Sequence, residues 1–418
     1  MNCEIICIGT ELLTGDTLNT NVNYISKHLS KNGFSVLYQT TIGDNPERLQ
    51  QCFKIAAGRS DIVILTGGLG PTQDDLTKET IADFFSMPMK RNEKQVRNMK
   101  NHFDRYNYVM TDNNFRQCDI PVGAKAIDNT RGTAPGIHIE KEGLSVFLLP
   151  GPPSEMSAMF DLYVMPILKN RIDQLVISRY FNVCDLGESM VEDTIMDLVS
   201  HQNNPTIATY AKLGEVLIRI TANGKDAKQL NERLDQYESV ILKRFGDHIF
   251  TKSQRSLNQV VGKMLLDRHL TLASAESCTG GLIASKLTEI AGISDAFKMG
   301  LVTYSNEAKE KMLHVNKMTL EKKGAVSSET AREMCEHLKS ISGCDLAVSV
   351  TGIAGPDGGT PKKPVGLVYI GVCGKNECYI EKCRFNGNRQ TIQQKAAQKT
   401  FVLIRKMILD ISENHKYN

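Results

Sequence analysis

DIVILTGGLGPTQDDLTKE, residues 61–79, passes from an apolar run through a turn with three glycines into helix-like text opened by two acids. An apolar run of this length, closed by glycine, reads as a strand buried on both faces. Such strands joined by helices build a largely parallel sheet. Working outward, the alternation continues. CEIICIG (3–9) and FSVLYQTTIG (34–43) are strands, while TNVNYISKHLSKNG (20–33) and PERLQQCFKIAAG (46–58) are helices closed by glycine. SVFLLPGPP (145–153) adds a late strand ending in a Pro/Gly loop, and SEMSAMFDLYVMPIL (154–168) a closing helix. Residues 1–168 therefore read as a three-layer αβα domain.

From 169 to 250 the text describes a smaller α+β module. It has helices in ESMVEDTIMDLVSH (188–201) and AKQLNERLDQYESVILKRFG (227–246), and strands in TIATYAKLG (206–214) and EVLIRITANG (215–224). TKSQRS (251–256) is a polar linker. A third unit, 257–418, is again α/β: a helix in LNQVVGKMLLDRH (257–269), strand LTLASA (270–275), helix GGLIASKLTEIA (280–291), strand FKMGLVTYS (297–305) and helices NEAKEKML (306–313) and SSETAREMCEHLKSI (327–341). Strand DLAVSVTG (345–352), a Gly/Pro loop, two strands and a helix from about Asn388 complete it.

With 418 residues and 41% hydrophobic side chains the chain exceeds a single compact core. Fifty Lys and Arg against 47 Asp and Glu give a net charge of +3, so no sequence-wide field calls for a nucleic-acid or membrane partner. Small molecules are the expected ligands. The amino-terminal text has neither a basic leader nor a long apolar segment, and no run approaches the ~20 residues of a membrane span. The eleven cysteines are odd in number and lack a CxxC pair. They fit a reducing cytoplasm, with Cys373, Cys378 and Cys383 read as small core residues whose odd spacing puts neighbours on opposite faces.

Four stretches of the third unit could carry chemistry: ESCTGG (276–281), TYSNEAK (303–309), TGIAGPDGG (351–359) and FNGNR (385–389). Ser277 lies between a strand and a helix, where a side chain is exposed at a sheet end. It needs a base, and no histidine lies in any of the four. Lys309 supplies one if its pKa is lowered, with Tyr304 as a proton relay. The chemistry is then that of a Ser/Lys/Tyr amidase or acyl transferase. Taken alone, the same residues also read as caps of the following helix and a solvated lysine. Cys278 is a poor rival, since no positive partner for a thiolate adjoins it. Gly355, Gly358 and Gly359 could offer backbone N–H groups to a phosphate, and Arg389 could clamp one. In the first unit Gly67, Gly68 and Gly70 precede Asp74 and Asp75. That order suits a pyrophosphate beside a carboxylate-held divalent ion such as Mg²⁺, or simply an acid capping a helix.

Taken in order, CIGTELLTGDTLNTN (7–21), TGGLGPTQDDLTKE (66–79), RGTAPG (131–136), LPGPPSEM (149–156), LGESMVEDTI (186–195), IATYAKLGEVLIRITA (207–222), AESCTGG (275–281), VTYSNEAK (302–309), GAVSSET (324–330) and TGIAGPDGG resemble the full-length competence/damage-inducible protein CinA family from end to end. The resemblance implies a MoaB/Mog-like first domain of molybdopterin-binding type with metal-dependent ADP-ribose pyrophosphatase activity, and a KH-type middle module. It implies a carboxy-terminal nicotinamide mononucleotide deamidase that needs no cofactor. Ser277 would be the nucleophile, Lys309 its base and Tyr304 the aid to the departing ammonia. Thr279, Gly280 and Gly281 would contact oxyanion or substrate. Asp74 and Asp75 would match the paired acids of the metal site, with Glu11 and Asn19 as additions. The implied partners are NMN and ADP-ribose, and the implied assembly is a homodimer. Residues 172–250 lack a GxxG clamp, which argues against direct nucleic-acid binding. Asp185 stands where glycine is common in the family, and Asn388 where an acid often precedes the arginine. The alternative is a nucleotide- or molybdopterin-binding adaptor linked to competence or DNA repair.

Overall fold

The computed structural model describes residues 1–171, 175–200, 202–375 and 377–414. The chain divides into two compact units, Met1–Ile177 with Ala222–Asn231, and Ser178–Thr221 with Glu232–Asn418. The segment 169–250 of the sequence reading is thus shared between them.

The first unit is built on strands β1 (Asn2–Ile8), β2 (Ser35–Ile42), β3 (Ile62–Thr66), β6 (Lys125–Ile127), β7 (Gly136–Lys141) and β8 (Leu144–Leu149), in the order β2-β1-β3-β8-β7-β6. Two short strands, β4 (Met89–Arg91) and β5 (Asp119–Pro121), pair apart from it. The first four strands of the sheet are mutually parallel, β7 runs antiparallel to β8, and β6 antiparallel to β7. The period of two explains why the text is apolar without a break. Ile6, Ile8, Val63, Leu65, Val146 and Leu148 face one layer with Leu49 and Phe53 of helix Pro46–Ala57. Cys3, Ile5, Cys7, Ile62, Ile64 and Phe147 face the other, against Ile25 and Leu29 of helix Thr20–Lys31. Both helices start where the sequence offers a cap: the Asn19 and Asn45 side chains accept from the N–H of Val22 and Arg48. The closing helix, Pro153–Lys169, is interrupted by a π-helical turn over Phe160–Val164.

The second unit holds most of a sheet of β9 (Leu175–Cys184), β10 (Thr206–Lys212), β11 (Glu215–Gly224) and β12 (Ile249–Thr251), ordered β10-β11-β9-β12. A five-stranded sheet follows, of β13 (Leu272–Glu276), β14 (Phe297–Val302), β15 (Leu346–Gly352), β16 (Leu367–Cys373) and β17 (Cys378–Arg384), ordered β14-β13-β15-β16-β17. Its first three strands are parallel, so their carboxyl ends open on one side. Helices Leu257–Asp267 and Arg389–Asn414 cover one face, and Ser328–Ser342 the other. No helix among the described residues is long and apolar enough to cross a membrane.

One expectation is corrected. Cys373 and Cys378 are joined by a disulfide, where the sequence reading made them separate core residues. They end and begin adjacent antiparallel strands and stand directly opposite each other in the register. Facing residues of a hairpin share a side of the sheet, whatever their spacing in one strand predicts.

Candidate active site

Ser277 follows β13 at the carboxyl end of the parallel strands, and its N–H donates to Val350 O at 2.9 Å. The turn after it is forced by Gly280 and Gly281, at φ +62° and +95°, conformations costly for side chains bearing Cβ. Glu276, buried one residue before the serine, binds that turn together. Its carboxylate accepts from the N–H of Gly281 (3.1 Å), Ile283 (3.0 Å) and Ala284 (2.9 Å). The Ser277 position is therefore fixed at both ends.

Lys309 reaches it from helix Asn306–Leu313, which Ser305 caps. It is 1% exposed. Its Nζ lies 3.0 Å from Ser277 Oγ, 2.8 Å from Thr303 O and 3.3 Å from Tyr304 O. Burial lowers its pKa to about 8, only weakly opposed by Cys278. In the neutral amine the two remaining N–H bonds satisfy the two carbonyls, and the lone pair is left facing the serine hydroxyl. That is the geometry of a general base. Burial pushes the Cys278 thiol the other way, up to about 12, which keeps it protonated.

These groups open on a cavity of about 260 Å³ whose wall includes Tyr304, Gly355, Gly358 and Arg389. Arg389 donates to Gly355 O at 2.7 Å and to the Tyr304 hydroxyl at 2.8 Å. The guanidinium is thus held at the mouth, with the phenolic proton of Tyr304 still available.

A second cavity, of about 420 Å³, lies in the first unit at the carboxyl ends of β1, β3 and β8. Gly67 has φ +109°, and a Cβ there would stand 2.1 Å from Ile8 O, so the strand ends close up only around glycine. Glu11, Asp44, Asp74, Asp75 and Glu155 line it, with Gly68 and Gly70. Asp75 accepts from the N–H (3.0 Å) and Oγ1 (2.5 Å) of Thr72. Gln117, 4% exposed and in the same wall, has an Oε1 without a hydrogen-bond partner among the described residues. The oxygen donors suit a hard divalent ion, which takes one or two carboxylates and completes its shell with water and phosphate. Among the described residues no three of these carboxylates converge within 4.8 Å.

Three family models match in series: "Probable molybdopterin binding domain" over 4–170, "Damage-inducible protein CinA KH domain" over 178–251 and "CinA C-terminal domain" over 254–408. A CinA-like protein of Dictyoglomus turgidum (strain DSM 6724 / Z-1310) is 44% identical over 411 residues, 98% of this chain and 100% of that protein. The chain belongs to the CinA family. A competence-damage inducible protein of Thermoanaerobacter sp. (strain X514) is 45% identical over 98% of this chain and 99% of its own length. A crystal structure of a protein CinA with unknown function from Thermoplasma acidophilum, 32% identical, covers 40% of this chain and 97% of that one at a TM-score of 0.37.

In this CinA chain Ser277, Tyr304, Lys309, Gly355, Gly358 and Arg389 meet at one cavity. Thr279, Gly280, Gly281 and Gly359 are not in its wall. The Gly280 N–H donates to Ser277 O and the Gly281 N–H to Glu276, so both amides hold the turn itself. Thr279 Oγ1 is buried without a partner among the described residues. In the first unit Gly67, Gly68, Gly70, Glu11, Asp74 and Asp75 share the second cavity, whereas Asn19 caps a helix and lies outside it. Sequence reasoning passed over Glu276, Asp357 and Gln117. Glu276 had a signal: an acid ending an apolar strand is buried with it and must find donors.

Proposed function

We propose that the carboxy-terminal site is a nicotinamide mononucleotide amidohydrolase, producing nicotinate mononucleotide and ammonia. The observation that carries the proposal is the buried Lys309 amine 3.0 Å from Ser277 Oγ, with two carbonyls occupying its other hydrogens. Ser277 Oγ attacks the carboxamide carbon while Lys309 takes its proton. The C–N bond then breaks as the nitrogen takes one proton from the Tyr304 hydroxyl, which the Lys309 ammonium restores, so that ammonia leaves and an ester on Ser277 remains. Water attacks that ester, Lys309 accepts its proton, and the carboxylate departs with the serine oxygen reprotonated. Arg389 and the Gly355–Gly358 loop bind the phosphate. On this reading the chain is cytoplasmic, where such a nucleotide is found, and acts as the homodimer that the family resemblance implies.

The acid-lined cavity of the first unit supports a second activity, cleavage of ADP-ribose at its pyrophosphate. Asp74 and Asp75 would hold a divalent ion that neutralises phosphate charge when bound. Gly67, Gly68 and Gly70 allow the diphosphate to approach the backbone, and Gln117 accepts a hydrogen bond from a ligand hydroxyl or amine.

Incubating the full chain with nicotinamide mononucleotide tests the first reading. Equimolar ammonia and nicotinate mononucleotide are expected. Saturable binding without turnover would replace the enzyme with a nucleotide-binding adaptor.

A further inference from the structure

Among the described residues one group of metal-ligating side chains draws together, and it lies apart from both cavities: the Sγ atoms of Cys335, Cys373 and Cys378 all lie within 4.8 Å of one another. Cys373 and Cys378 close the β16–β17 hairpin, and Cys335 projects from the middle of helix Ser328–Ser342. Gly371 allows this approach. A Cβ there would meet Ser349 Oγ at 2.6 Å and Cys335 Cβ at 3.1 Å, so the helix could not settle on that strand.

We propose that Cys335, Cys373 and Cys378 form, once the Cys373–Cys378 bond is reduced, a three-thiolate site for a soft closed-shell cation of the Cu(I) class. A dithiol reductant transfers two electrons and two protons to the disulfide, which becomes two thiols while the reductant closes to its own disulfide. Binding then makes metal–sulfur bonds, and each coordinated thiol loses its proton to solvent. With metal–sulfur arms of about 2.3 Å, ligand sulfurs stand about 4 Å apart; Cys335 Sγ lies within 4.8 Å of both hairpin sulfurs, and these two, bonded to each other in the disulfide, separate to that spacing once reduced. Thiolates without oxygen or imidazole ligands select soft ions, and three of them suit a trigonal ion better than four-coordinate zinc. Cys335 and Cys373 are buried, and Cys378 is half-buried at the hairpin end, where an ion can enter. Arg332 donates to Cys378 O at 3.2 Å and places positive charge beside the anionic cluster. Burial pushes the Cys335 thiol up to about 12, against hydrogen bonds from Ser349 and the Cys373 backbone.

The site is independent of the proposed enzymatic activities. The test uses the full chain, reduced with a dithiol and desalted without air, against Cu(I) held by a chromogenic chelator. One equivalent withdrawn per chain is expected, with a near-ultraviolet thiolate-to-copper band, and none by the oxidised protein. Cys335→Ser and Cys378→Ser each weaken binding by more than about tenfold. Cys52→Ser in the first unit has no effect. Should Cys335→Ser fail to fold, Cys378→Ser at the half-buried hairpin end decides. Wild-type affinity in Cys378→Ser, equal uptake by oxidised protein, or no withdrawal by the reduced wild type would overturn the proposal.

Discussion

In the proposed reaction Lys309 is the residue on which the chemistry would turn, because its burial would serve catalysis while it opposes folding. The amine must be neutral to accept the serine proton. The log of kcat/KM for ammonia release should therefore rise with pH below about 8 and level off above it, a profile that initial rates from pH 6 to 10 will check. For stability the sign follows from the same depression. Between about 8 and the ordinary lysine range the unfolded chain holds the proton that the folded chain has lost, so stability increases with pH across that window. Lys309→Met should abolish turnover, by about 10³-fold or more, without lowering the thermal midpoint below pH 8, since the buried cation is gone. A fall of several degrees would show that the hydrogen bonds to Thr303 and Tyr304 outweigh the desolvation. Ser277 and Lys309 were legible in the sequence through their motifs. The burial of Lys309 was not, although Leu313 one turn later on the same helix marks the face it shares.

At the level of elements, Glu276 and Asp185 show side chains taking over what backbone alone leaves undone. Glu276→Ala strips three N–H groups of their acceptor and should cost about 1–3 kcal/mol and lower kcat. Glu276→Gln, which keeps one oxygen, should recover part of both, as denaturant melts and steady-state rates will measure. Asp185 explains a departure from the family pattern. It has φ +64°, the conformation that favours glycine, and its carboxylate meets Lys399 at 2.5 Å and Lys406 at 2.6 Å. Burial raises its pKa, but the bonds and charges of the two lysines outweigh this and hold it below the usual carboxylate range. The pairs are fully present above that range and are lost as pH falls through the depressed value. Asp185→Gly should thus be less stable than wild type at pH 7, with the gap closing in acid. A constant gap would mean that the ion pairs contribute nothing. The strands and helices named in the sequence were plain from period and caps, whereas helix Glu93–Tyr106 and strands β4 to β7 and β9 went unread. The Cys373–Cys378 contact was hidden, because pairing across a hairpin depends on register, which spacing along one strand does not state.

For the molecule as a whole, the parallel strands explain why two separate cavities form in the same way, at carboxyl ends where a glycine turn meets a helix. The sequence shows that arrangement twice, in 61–79 and 270–291, and the family motifs supply the chemistry expected at each. What they leave open is which amides face the ligand, since Gly280 and Gly281 turn theirs inward. Each site should answer only to its own residues: Asp75→Asn should leave ammonia release within about twofold of wild type while reducing any metal-dependent phosphate chemistry. The most direct measurement is ammonia release from nicotinamide mononucleotide at pH 8.5 by wild type and Ser277→Ala, each shown folded by circular dichroism. The account predicts turnover by wild type and a loss of at least about 10³-fold in the variant. A Ser277→Ala protein that is folded and fully active would contradict it.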